Sequence, residues 1–75
     1  MLNPAEKAYC LALLALRKRD LRAAAEQFDR AGDFFSGDKE FQLLKETTTL
    51  ALAVKAEIGR YENEEDFVTE EILNG

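Results

Sequence analysis

Cys10, the acids Glu26, Asp29 and Asp33, and the cations Arg17, Lys18, Arg19 and Arg22 are the side chains in this sequence with chemistry to offer. Cys10 is the single cysteine, and the chain has no histidine. A thiol becomes a nucleophile when a neighbouring base or cation lowers its pKa. Cys10 instead sits in AYCLALLAL, uncharged from Ala8 to Leu16, and reads as a small core residue. One thiol makes no internal disulfide and, without imidazole, no zinc site. Glu26 lies four residues from both Arg22 and Arg30, the spacing of a solvated ion-pair ladder on a helix. The acids of ENEED lack calcium-loop spacing, and no glycine-rich loop offers a phosphate cradle. The expectation is a protein that is not an enzyme and uses no metal and no cofactor.

The basic cluster Arg17, Lys18, Arg19 and Arg22 is a weak signal for nucleic acid. The isoelectric point is near 4.6, and no aromatics interleave the cations. The cluster fits a helix end kept soluble, or a site for an acidic peptide. Residues 61–75 hold six acids and no base, while residues 1–60 are nearly neutral, so the tail supplies the net charge of −5. The break at IGRYENEED divides the chain into a domain at 1–60 and an acidic tail or short helix at 61–75. The N-terminus lacks the basic start and apolar core of a signal peptide, so a cytoplasmic protein is expected. The uncharged run Ala8–Leu16 falls far below the ~20 residues of a membrane helix, so no membrane partner is expected.

The elements that must position these groups read as helices. Asn3 as N-cap, Pro4 at the first helical position and Glu6 three residues after the cap predict a helix from Pro4 to Arg17 or Lys18. Asp20 caps a second helix running to about Phe35, with Gly37 as its left-handed stop. Asp38 caps a third helix, from Lys39 to about Ile58, stopped by Gly59. Its run Thr47, Thr48, Thr49 is weak, because β-branched side chains lose rotamer freedom in a helix. No Gly or Pro interrupts it, so one long helix is preferred. The sequence also allows a short fourth helix from Glu64 to Leu73, with Phe67, Val68 and Ile72 as its apolar side. The predicted fold is all-α, an antiparallel helical hairpin plus a long third helix.

A minimal turn forces the first two helices to pack antiparallel. Ala24 and Ala31 leave room for close approach, Phe28 fills the gap between them, and Leu11 and Ala12 answer from the first helix. This pair resembles one tetratricopeptide repeat, with Asp20 and Leu21 at its turn and Ala24, Phe28 and Ala31 along its second helix. The resemblance covers about residues 5–38. It departs from the family at Ala8 and Ala15, where aromatics are expected, and at Ser36, where proline is. It implies a protein–protein interaction module. Members of that family stack about three repeats, and only one is visible, so the third helix is either a cap or the edge of a shared core.

AYCLALLAL and LALAV at 50–54 are apolar all round, a pattern of helices covered on more than one side. The expected work is therefore binding another protein, as an adaptor, small co-chaperone or assembly subunit, or self-assembly as a homodimer. Tyr9, Leu13, Leu16, Leu50 and Val54 are the candidate apolar contacts, with Arg17, Lys18, Arg19 and Arg22 as the charged ones. The tail resembles the acidic, hydrophobic C-terminal peptides that some tetratricopeptide domains bind. Phe67, Val68 and Ile72 would then be a built-in ligand; the alternative is a solubilising tail.

Overall fold

The computed structural model describes the backbone of residues 1–74 and the side chains of residues 1–62. The chain is all-α: α1 spans Pro4–Arg17, α2 spans Leu21–Gly37 and α3 spans Phe41–Asn74. No strand occurs among the described residues. α1 packs along α2 and α2 along α3, so α2 is the middle helix of the three.

The starts of α1 and α2 follow from their caps. Asn3 Oδ1 accepts a hydrogen bond from the Glu6 N–H at 2.8 Å, and Asn3 Nδ2 donates to Glu6 Oε1 at 2.9 Å. Asp20 Oδ1 accepts from the Ala23 N–H at 3.2 Å. The bonds from the Glu6 and Ala23 N–H groups each occupy one of the donors that a helix N-terminus leaves open.

The two turns close in the same way. The Asp20 N–H donates to the Ala15 carbonyl at 2.9 Å and the Arg19 N–H to that of Leu16 at 3.0 Å; twenty residues on, Glu40 donates to Phe35 at 2.9 Å and Lys39 to Ser36 at 3.1 Å. This pair of bonds satisfies the last carbonyls of a helix and requires a left-handed residue after the C-cap. Arg19, at φ 64°, and Lys39, at φ 59°, take that role. Gly37, expected as the stop, lies inside α2, and Asp38 is the C-cap of α2 rather than the N-cap of α3. Which residue turns left-handed follows from where the carbonyls of α2 end, and a lysine there costs about 1–2 kcal/mol.

α3 departs furthest from expectation. It starts at Phe41 rather than Lys39, and it does not stop at Gly59 but continues to Asn74 without a separate fourth helix. Gly59 lacks a positive φ, and a Cβ there would meet nothing within 4 Å, so neither its conformation nor its surroundings require glycine. A glycine inside a helix costs only about 1 kcal/mol relative to alanine. The threonine run is absorbed as well. Thr47 Oγ1 donates to the Leu43 carbonyl at 2.7 Å and Thr49 Oγ1 to that of Lys45 at 2.9 Å.

The core is built from small residues. Ala5, Ala8 and Ala12 of α1 face Ala24, Phe28, Ala31 and Phe35 of α2, and Thr47, Ala51 and Val54 of α3 cover the other side. Tyr9 meets Phe28 edge-to-face, with ring centroids 5.7 Å apart and planes at 71°. Such a pair contributes about 0.5–1.5 kcal/mol beyond area burial.

Candidate protein-binding surface

The alanines of α1 decide what its leucines do. Ala5, Ala8 and Ala12, at spacings of three and four, turn inward. Leu11 and Leu14 are therefore displaced to the outside, 43% and 51% exposed, and Leu13 is exposed as well. Leu11, expected inside the helix crossing, stands at its exposed border, whereas Ala12, Ala24, Phe28 and Ala31 are fully buried there. Cys10, expected in the core, is exposed for the same reason.

Leu11 lines a groove between α1 and α2 together with Leu2, Pro4 and Lys7 on one side and Gln27, Arg30 and Phe34 on the other. The groove is lined by apolar side chains together with Gln27 and two cations. Neither Lys7 nor Arg30 belongs to an ion pair among the described residues. The Gln27 amide oxygen is shielded from solvent without a hydrogen-bond partner.

The expected contact residues are dispersed. Tyr9 and Leu50 are half-buried and line a second, shallower groove between α1 and α3, with Gln42, Lys45, Glu46 and Thr49. Leu13 is exposed on the edge of α1 that also carries Tyr9 and Leu16, and Leu16 is half-buried against the core. Val54 is only 6% exposed and belongs to the core, because it falls on the strip of α3 that meets α2. Arg17, Lys18, Arg19 and Arg22 are exposed around the first turn. Arg22 pairs with Glu62 across that end. The ladder expected between Glu26 and Arg22 or Arg30 does not form. Asp29 pairs instead with Lys55, 2.8 Å away on α3, because α3 brings a cation to that face of α2. The side chains of Phe67, Val68 and Ile72 lie outside the described residues.

The α1–α2 groove was not legible as a site. Leu2, Lys7, Arg30 and Phe34 carry no motif. The available signal was the alanine spacing of α1, which marks the inward face and leaves Lys7, Leu11, Leu14 and Lys18 together on another. Among the described residues, no group of three His, Cys, Asp or Glu is placed to hold a metal, and no helix is long and apolar enough to cross a membrane. No protein-family model, no curated protein and no solved structure matches this chain.

Proposed function

We propose that this chain is a protein–protein interaction module, a tetratricopeptide-like hairpin extended by α3, which binds through its apolar helical faces. It is a small adaptor, co-chaperone or assembly subunit and not an enzyme, and we place it in the cytoplasm. The observation that carries this reading is the displacement of Leu11 and Leu14 to the surface of α1 beside the exposed Leu2 and Phe34. Large apolar side chains scattered singly are ordinary on protein surfaces, but Leu2, Leu11 and Phe34 line one groove, and the exposed Leu14 follows three residues further along α1. Contiguous apolar patches of this kind mark interaction sites. The hairpin geometry supports the family resemblance through Ala24, Phe28 and Ala31, which lie at the crossing. Self-assembly without another ligand is the second reading, favoured by the contrast between cations in the groove and acids in the tail.

The test is capture by the immobilised full chain, compared with its Leu11→Glu/Leu14→Glu variant and read by mass spectrometry. A partner, foreign or a second copy, should be retained by the first and lost by the second. Equal retention by both would refute binding through this face.

A further inference from the structure

We infer that the α1–α2 groove receives the C-terminal segment, residues 61–75, of a second copy of this chain. The inference rests on the interaction-module reading above and names its partner. On α1, Lys7 and Leu11 line the groove, and Leu14 and Lys18 continue the same stripe toward the first turn at spacings of three and four; all four are exposed. Two leucines are thus bracketed by two cations along one helix face. Arg30 and Phe34 of α2 extend the same arrangement across the groove.

Within the chain the complement is the segment YENEEDFVTEEILNG. Tyr61, Val68 and Ile72 recur at spacings of seven and four, with Glu64, Glu65 and Glu71 between or beside them. The stretch from Tyr61 to Ile72 is as long as that from Lys7 to Lys18, about 16 Å on a helix. Two such segments do not pair with each other, because each brings six acids and no base. Like charges set opposite each other are repulsive.

The segment of the same molecule is led away from the groove. Arg22 holds Glu62 at the end of the hairpin where α2 begins. Leu2 and Phe34, which line the groove, lie at the other end. α3 continues as helix to Asn74, another 12 residues past Glu62 and about 18 Å of rise. A second copy has no such restriction. Reciprocal exchange in a two-fold dimer fills both grooves with both segments.

The test uses full-length chains and light scattering behind a sizing column at micromolar concentration. The wild type should run at twice the single-chain mass of 8.5 kDa. Leu11→Glu/Leu14→Glu breaks the groove and leaves the segment; Val68→Glu/Ile72→Glu breaks the segment and leaves the groove. Each alone should run as one chain with its helical circular dichroism intact. Mixed, they should return to the mass of two chains, since one sound groove meets one sound segment. Lys7→Gln/Arg30→Gln, which leaves the leucines in place, should weaken association by about tenfold, and added salt should narrow that gap. Should the groove variant fail to fold, the segment variant and this charge variant still test the exchange: the first should run as one chain, and the second should associate about tenfold more weakly than the wild type. A monomeric wild type, a dimer that persists in either leucine or segment variant, or a mixture that stays monomeric would overturn the exchange. If the wild type is monomeric yet captures a foreign protein that Leu11→Glu/Leu14→Glu loses, the interaction-module reading survives without this partner. If the groove variant alters neither mass nor capture, both readings fail.

Discussion

α1 and α3 lie on either side of α2, and they meet it in different ways. α1 presents Ala5, Ala8 and Ala12, the smallest apolar side chains that still disfavour water. α3 presents Thr47, Ala51 and Val54, with Leu44, Leu50 and Ile58 partly buried at the border. The α1 interface brings backbones close and pushes every leucine except Leu16 outward. The α3 interface keeps Leu44, Leu50 and Ile58 near the core and leaves Phe41, Leu43 and Leu52 outside, 66%, 40% and 62% exposed. The lesson is that close packing and surface apolarity are coupled. A helix that spends its inward positions on alanine has nowhere to hide its leucines.

Phe28 is where the two interfaces join, since it touches the core on both sides of α2. Phe28→Ala should destabilise the fold by about 3–5 kcal/mol through the cavity it leaves, read as the free energy of urea unfolding. A loss under 1 kcal/mol would mean that the two interfaces are independent.

The next largest effect separates them. Ala12→Leu enlarges a fully buried alanine in the α1 interface, and should cost about 1–3 kcal/mol by overpacking. Ala53→Leu, on the exposed side of α3, should stay within about 0.5 kcal/mol of wild type. Equal thermal shifts for both would remove the contrast between a filled interface and an open face.

The caps give a smaller effect. Asp20→Ala removes the acceptor of the Ala23 N–H at the start of α2, the helix that both neighbours need. A loss of about 1 kcal/mol is expected, measured by chemical denaturation. No loss would show that packing against α1 and α3 holds that turn without its cap.

The smallest effect has the opposite sign. Gly32 is buried in α2 beside α3, and a Cβ there would meet Leu44 Cδ1 at 3.7 Å and Thr47 Cγ2 at 4.0 Å. These are ordinary van der Waals distances, so the glycine is not needed for close approach. Gly32→Ala should stabilise the protein by about 0.4–1 kcal/mol by lowering the entropy of the unfolded chain. A fall in melting temperature would show that the α2–α3 interface is as tight as the one with α1.

Much of this architecture is local and was legible in the residues. Asn3, Pro4 and Glu6 announce where α1 begins, and Asp20 where α2 begins, because caps act over three or four residues. The small residues Ala24 and Ala31 around Phe28 identify the inward face of α2, because helical periodicity is read directly from spacing. The absence of histidine and the single cysteine bound the chemistry for the same reason: composition needs no fold to be counted.

Three features depended on tertiary structure. Which side of the uncharged run in α1 faces inward is undetermined when nearly every position is apolar. α2 settled it by admitting alanines and excluding Leu11, Leu14 and Cys10. The partner of Asp29 was decided in space, since Lys55 is 26 residues away in sequence and arrives only because α3 lies along α2. The stop at Gly59 failed because glycine permits a left-handed turn without requiring one, whereas Arg19 and Lys39 take that conformation where the carbonyls of α1 and α2 need closing. Local sequence therefore determined where α1 and α2 start and how the helices are patterned. Packing decided which faces are hidden, which charges meet and where α3 begins, because those depend on what the neighbouring helix leaves room for.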